Sequence, residues 1–383
     1  MNPITRSLVL PAKHSVFLFG PRQVGKTRLI LDSLKPDLLI NLLENEEFLR
    51  YAKDPALLNR EIEQIEKINP LVVIDEIQRL PELLNAVQAC MGKRQRARFV
   101  LTGSSARKLK RKGVNLLGGR ALVMKLHPFT HEELGRFFSL EGILRFGSLP
   151  PVATEPDKIM KAKILQTYVE IYLKEEIQNE ALTRRVAAFA RFLDLAAFEN
   201  GNILNFSRLS QEIGMDAKTI RTYFEILEDT LIGFFLLPYT RSHRAKLVKH
   251  PKFIFFDPGI VSALQKTLHQ DLLPASPPYG RAFEHWIILE IRRLLDYRER
   301  EYEMFFFRTT DGAEVDLILK REGELWAIEI KSSRAPRLVD LSGIRSFTRD
   351  HHPKRAICVC QTPRPYQQEG VEFLPWRNFM ALL

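Results

Sequence analysis

The run Gly20-Pro21-Arg22-Gln23-Val24-Gly25-Lys26-Thr27-Arg28 collects, in one short stretch, the residue types that grip a polyphosphate. Its first eight positions satisfy G-x-x-x-x-G-K-T. The glycines let successive backbone N–H groups, and the N-terminus of the next helix, close around phosphates. Lys26 is placed to reach the β- and γ-phosphates as a catalytic cation, and the Thr27 hydroxyl to ligate magnesium. An apolar run over 16–19 precedes the motif and an apolar-patterned helix follows it, as a phosphate loop requires. A second run, Leu71-Val72-Val73-Ile74-Asp75-Glu76, is the expected partner. Its apolar residues form a strand that delivers Asp75 to magnesium, and Glu76 is positioned to orient or deprotonate the attacking water. Together the two runs point to ATP and Mg2+.

A third strand-like run ends in Thr102-Gly103-Ser104-Ser105. Beside the Asp75 strand, Thr102 or Ser104 would meet the γ-phosphate or the water; a Ser/Gly turn capping the next helix is the competing reading. Arg120 closes the turn Leu116-Leu117-Gly118-Gly119-Arg120. It is either a cation that neutralises transition-state charge, in its own or a neighbouring subunit, or a plain surface arginine.

A separate constellation lies near the C-terminus. Asp316 sits in the run 315–320, and Glu329-Ile330-Lys331 closes the run 325–331. Alternation along a strand puts Glu329 and Lys331 on one face, and an adjacent antiparallel strand brings Asp316 beside them. Two carboxylates then hold magnesium, which acidifies a water, while Lys331 positions it or stabilises developing phosphorane charge. Glu284, on the preceding helix, supplies a third carboxylate. An exposed Glu329–Lys331 pair on an edge strand is the bland alternative.

The order of the first motifs resembles the AAA+ superfamily of ATPases. The phosphate loop, Ile74-Asp75-Glu76-Ile77-Gln78, Leu101-Thr102-Gly103-Ser104-Ser105 and Leu117-Gly118-Gly119-Arg120 together resemble a family of prokaryotic ATP-binding proteins with an uncharacterised C-terminal domain. Tyr168, the run Tyr172-Leu173-Lys174-Glu175-Glu176-Ile177 and the stretch 308–331 are similar to that family as well. The resemblance implies a homo-oligomer, with a ring as the form AAA+ relatives commonly take. The set Glu284, Asp316, Glu329, Lys331 resembles the PD-(D/E)xK restriction-endonuclease-like fold, although Glu314-Val315 rather than proline precedes Asp316.

Positioning these residues takes an α/β chain. Up to about residue 130, apolar runs at 16–19, 38–43, 71–74, 99–101 and 121–126 alternate with helical stretches, which predicts a parallel sheet with strands buried on both faces. The segment 155–197 is helical in pattern. Over 206–257, a short helix, a turn at Gly214 and a second helix precede two β-rich runs. Prolines at 274–278 and Gly280 form a breaker-rich link. A helix over 282–295, three strands, a helix and the strand 356–360 follow. The expected division is a P-loop AAA+ domain over 1–150, a helical and winged-helix domain over 151–273, and a restriction-endonuclease-like α/β domain over 274–383.

In the middle segment Ile220, Phe224, Leu227 and Leu231 recur at helical spacing. That leaves Lys218, Thr219, Arg221, Thr222 and Glu225 outward, as in a recognition helix. The following strands flank Arg241, His243, Arg244, Lys246, Lys249, His250 and Lys252, as a winged helix presents a basic hairpin to phosphates. Docking or lid duty is the alternative. The net charge of +11 favours a polyanion, and DNA is the expected partner. Cys90, Cys358 and Cys360 form no disulfide framework or metal spacing and read as core thiols in a reducing compartment. Without a signal-peptide pattern or an apolar stretch of about 20 residues, a cytoplasmic protein with no membrane partner is expected. Two functional readings follow: an ATPase acting on DNA with a magnesium nuclease centre, or a non-cleaving ATP-driven switch or remodeller.

Overall fold

A computed structural model describes residues 4–92, 97–105, 119–173, 186–240 and 250–383. The chain forms two compact units, one of residues up to Phe129 with Asp229–Ile232, the other of Thr130–Glu228 with Gly233–Leu383.

The first unit alternates strands and helices: β1 (Ser15–Phe19), α1 (Lys26–Ser33), β2 (Leu38–Asn41), α2 (Asn45–Lys53), α3 (Leu57–Glu63), β3 (Leu71–Asp75), α4 (Leu83–Gly92), β4 (Arg98–Gly103) and β5 (Ala121–Lys125). The strands make one parallel sheet in the order β2-β3-β4-β1-β5. β1 and β3 are buried at every position, because helices cover both faces of the sheet centre and an unbroken apolar run is the only sequence such a site accepts. Phe17, Phe19, Val72, Ile74, Phe99 and Leu101 pack there with Leu83, Leu84 and Val87 of α4. β2 and β5 correct the expectation of strands buried on both faces. They terminate the sheet, and Leu39, Leu122 and Val123 remain exposed. The parallel order sets the C-terminal ends of β1, β3 and β4 side by side.

Helices of the second unit include α5 (Leu140–Phe146), α6 (Lys158–Thr167) and α7 (Val186–Phe198). Next come α8 (Phe206–Ile213), capped by the Asn205 side chain and stopped by Gly214 at φ 68°, and α9 (Ala217–Asp229). Ile220, Phe224 and Leu227 of α9 are buried as expected, and Phe224 packs edge-on against Phe192. Leu231 departs from that stripe: the helix ends at Asp229, and Leu231 takes φ 61°.

Strands β6 (Gly233–Pro238) and β7 (Lys252–Phe255) form an antiparallel pair. Through β6 they join β8 (Glu303–Arg308), β9 (Glu314–Arg321), β10 (Glu324–Ile330), β11 (Arg355–Cys360), β12 (Tyr366–Gln368) and β13 (Val371–Pro375) in an eight-stranded sheet ordered β12-β13-β11-β10-β9-β8-β6-β7. β8, β9 and β10 run antiparallel to one another, and β11 lies parallel to β10. Helices α10 (Pro258–Leu264), α11 (Pro277–Tyr297), α12 (Ser342–His351) and α13 (Trp376–Met380) complete the unit. α11 starts inside the expected breaker-rich link. Ser276 caps it and Pro277 and Pro278 fill its first turn, where a missing N–H costs no helical hydrogen bond. Among the described residues no helix is long and apolar enough to cross a membrane.

Candidate nucleotide site and acidic centre

The loop from β1 into α1 has the features of an anion cradle. Gly25 sits at φ 91° as N-cap of α1 and offers no side-chain cap, which leaves the first-turn N–H groups of the helix to an external acceptor. Gly20 lies so close to the backbone that a Cβ there would meet the Leu126 carbonyl oxygen at 2.4 Å. Val24 is fully buried and anchors the loop. Lys26, 6% exposed, donates from Nζ to the carbonyl oxygens of Gly20 at 2.9 Å and Pro21 at 3.2 Å, and lies 3.9 Å from Glu76 Oε1. Gln23 holds the loop's other left-handed conformation, at φ 63°, and Arg22 lies in the same turn. The cradle, the uncapped helix and the ammonium fit a polyphosphate.

Across the sheet, Thr27 Oγ1 donates to Asp75 Oδ2 at 2.7 Å, so the two expected magnesium ligands meet. Thr102, on the neighbouring β4, donates to Asp75 Oδ1 and accepts from the Glu76 N–H at 3.1 Å. Glu76 itself takes a left-handed conformation, φ 59° and ψ 47°, uncommon for a residue with a side chain. That turn directs the following residues back onto the site, where Gln78 Nε2 donates to Glu76 Oε2 and to Ser104 Oγ at 3.1 Å. Gly103 lets Gln78 pass: a Cβ at 103 would meet Gln78 Oε1 at 2.7 Å. Gln78 carries no expected role from the sequence, where the spacing Glu-x-Gln after an apolar strand is its one signal. Arg28 lies on the exposed side of α1, paired with Asp32 at 2.7 Å. Arg120 is exposed just ahead of β5, while Leu116, Leu117 and Gly118 of its turn lie outside the described residues.

The C-terminal constellation gathers from three elements. Asp316 on β9 accepts from the Ile330 N–H at 2.8 Å, and Lys331, one residue beyond β10, donates to Glu329 Oε1 at 2.6 Å. Glu329 and Asp316 are buried, which rules out the exposed-pair alternative, and Glu329 Oε2 is buried with no hydrogen-bond partner. Glu284, on α11, keeps 28% of its side chain accessible.

Electrostatics tie these groups into one centre. Burial, reinforced by Asp316 and opposed by Lys252, pushes the Glu284 carboxyl up to about 7. Burial raises Asp316 as well, against the pull of Lys331 and Lys252. Glu329 stands well above the usual carboxylate range, through burial first and Asp316 second. Burial works against the charge of Lys331, but Asp316 and Glu329 outweigh it and hold the ammonium above its ordinary range.

Carboxylates raised in this way gain from a hard divalent cation, which prefers oxygen ligands, and Glu329 Oε2 is a donor held ready for one. The donor chemistry fits. The spacing is not yet a ligand shell: among the described residues no three His, Cys, Asp or Glu side chains sit close enough to share one metal ion.

Lys252 is a correction. Expected as part of an exposed basic wing, it is 3% exposed, with Nζ 2.7 Å from Glu314 Oε1 and 3.8 Å from Glu284 Oε1. Its strand position turns it inward, and Glu284 and Glu314 outweigh burial to keep it charged. His250 is exposed; Arg241, His243, Arg244, Lys246 and Lys249 lie outside the described residues, as does the run 174–177. On α9, Lys218, Thr219, Arg221 and Glu225 face solvent as expected, with Arg221 and Glu225 paired at 3.2 Å, and Thr222 is half-buried.

Residues 12–135 match a family model described as an AAA domain. Residues 138–271 and 279–379 match two models described as domains of unknown function, DUF8612 and DUF4143. Residues 12–135, which contain the phosphate loop, are thus similar to an AAA-type domain. The chain is 25% identical over 326 residues to an uncharacterised protein of Mycobacterium tuberculosis, covering 84% of this chain and 71% of that one. An uncharacterised protein of Methanocaldococcus jannaschii is 22% identical over 343 residues, covering 82% and 74%. Among solved structures, the Aeropyrum pernix ORC2 protein in its ADP form aligns with 13% identity and a TM-score of 0.32, over 67% of this chain and 88% of that one.

Proposed function

We propose that this chain is a magnesium-dependent ATPase that acts on DNA, with a metal-dependent phosphodiester-cleaving centre in its C-terminal part. The observation that carries the ATPase half is the meeting of Lys26, Thr27, Asp75 and Glu76 at adjacent strand ends. In this reading the N–H groups of residues 22–25 and of the first turn of α1, with Arg28 just beyond, line the phosphates, and Lys26 exchanges its loop carbonyls for the β- and γ-oxygens. Thr27 and Asp75 would hold Mg2+, which would neutralise charge on the phosphates. Glu76 takes the proton of the attacking water, and Gln78 fixes which Glu76 oxygen faces it. Thr102 orients Asp75 from behind. Ser104, through Gln78, belongs to the same chain of hydrogen bonds. Arg120, exposed at the rim of the sheet, serves a neighbouring copy in a homo-oligomeric ring.

The second half draws support from topology. The order α11, β8, β9, β10, α12, β11, with Glu284 on the helix, Asp316 on β9 and Glu329 on β10, resembles that of the PD-(D/E)xK fold. Glu284, Asp316 and Glu329 would have to draw together to hold the cation, which would supply an acidified water there, while Lys331 would steady negative charge as the phosphodiester opens. The chain then divides into an ATPase module (1–150), a helical and winged-helix module (151–273) and a nuclease-like module (274–383). The three matched segments, 12–135, 138–271 and 279–379, support that division. The surplus of +11 and the outward Lys218 and Arg221 support DNA as partner.

A second reading, a non-cleaving ATP-driven switch, is favoured by one observation: Lys252 occupies a buried position among the carboxylates. A matched assay separates the two. Wild type, Lys26→Ala and Lys331→Ala are compared for ATP turnover and for nicking of supercoiled, linear and branched DNA with Mg2+ or Mn2+. The nuclease reading expects ATP turnover lost only in Lys26→Ala and nicking lost in Lys331→Ala. DNA left intact by wild type on every substrate leaves the switch. Turnover surviving in Lys26→Ala removes the nucleotide site.

A further inference from the structure

The charge of Lys252 is spent inside the protein. A buried ammonium is costly unless carboxylates surround it, and here the carboxylates belong to the acidic centre. Its main anchor is Glu314, which Arg308 holds from the other oxygen at 2.8 Å. The Phe306 ring lies under the ammonium, 5.2 Å from its centroid, and limits where it can swing. Fixed in this way, the ammonium stands 3.8 Å from Glu284 Oε1 and also acts on Asp316. A divalent cation bound by Glu284 and Asp316 would sit within a few ångströms of a like charge that cannot retreat to water. At such separations the repulsion is worth severalfold more than in bulk solvent. Lys252 and the metal would both draw on the Glu284 carboxylate, and each would weaken the other's hold.

We propose that Lys252 is a resident counter-ion of the acidic centre, competing with a divalent cation for Glu284 and so setting the metal concentration at which the centre loads. The inference rests on the reading of Glu284, Asp316 and Glu329 as metal ligands. Lys252 is contributed by β7 and the ligands by α11, β9 and β10, so the hairpin strand β7 tunes a site to which it gives no ligand.

The test is calorimetric titration of Mn2+, without nucleotide, into the full chain as wild type, Lys252→Met, Glu329→Gln and Lys252→Met/Glu329→Gln. Lys252→Met should take up Mn2+ roughly tenfold more tightly than wild type, and the gain should vanish when Glu329→Gln is added. Its melting temperature should also rise more with Mn2+ than that of wild type. If Lys252→Met does not fold, Lys252→Met/Glu314→Gln removes the ion pair as a neutral unit and should show the same tightening. Equal Mn2+ affinity in wild type and either Lys252 variant overturns the inference and leaves the metal centre standing. Tightening that persists with Glu329→Gln places the gain at another site and also overturns it. No Mn2+ uptake by any variant overturns both.

Discussion

At the nucleotide site each polar side chain is handed to another across neighbouring strand ends, Thr27 and Thr102 to Asp75 and Gln78 to Glu76. The acidic centre instead brings carboxylates from α11, β9 and β10 against two buried or half-buried ammonium groups and leaves Glu329 Oε2 unpartnered. The first arrangement is settled by side-chain hydrogen bonds that link Thr27, Asp75 and Thr102, and Glu76, Gln78 and Ser104. The second depends more on charge, and its carboxyl groups are driven upward by their own burial. A site built from matched pairs keeps its geometry when its ligand leaves. A site of crowded like charges needs a counter-ion at all times, and that need decides which cations it tolerates.

The contrast can be broken most severely at the nucleotide site. Glu76→Gln should lower ATP turnover about 100-fold while ATP is still bound, as expected when a general base is removed and the phosphate grip is kept. Gln78→Leu, which leaves Glu76 in place but unheld, should cost about tenfold in turnover with nucleotide affinity unchanged. Steady-state hydrolysis and fluorescent-nucleotide titration read both. Equal turnover in Gln78→Leu and wild type would mean that Glu76 needs no orienting partner.

A smaller effect sharpens the other side. Glu284 has a carboxyl raised from 4.5 to about 7 in the folded chain. The folded state therefore binds this proton more tightly than the unfolded state. Its contribution to stability is fully present below the unfolded value, and it is lost as pH rises from there through about 7. In metal-free buffer, denaturant midpoints should fall across that window in wild type, and Glu284→Gln should flatten the slope. An unchanged slope would show that Glu284 is not the group responsible. The smallest effect is expected at Arg28, whose exposed pairing with Asp32 ties it to the surface of α1. Arg28→Ala should leave ATP affinity within about twofold. A larger loss would return it to the phosphate-lining set.

What could be read in advance follows the same division. The phosphate loop and the Asp75-Glu76 pair are contiguous, and each residue's job depends on a strand end that an apolar run announces, so they were legible. The side-by-side order of β1, β3 and β4 follows from the parallel alternation that the sequence displays. Gln78 was not legible as a functional residue, because its return to Glu76 depends on the left-handed backbone at Glu76, a conformation that propensity argues against. Lys252 was misread for the opposite reason. Its neighbours in sequence are basic, and only the pairing of β7 with β6 turns this one inward. Pro277 and Pro278 read as breakers because proline breaks helices in their interiors; the Ser276 cap is what makes their position a first turn.

Gly103 never approaches a phosphate, yet it governs how sharply Glu76 is aimed. The absent side chain leaves a slot against β4 just deep enough for the Gln78 amide, whose nitrogen is pinned between Glu76 and Ser104. Adding a single methyl at 103 would lever that amide sideways and tilt the base. Tolerance to substitution is therefore set by clearance behind the reacting groups as much as by the groups themselves, and a variant screen scored on binding alone would pass over this position.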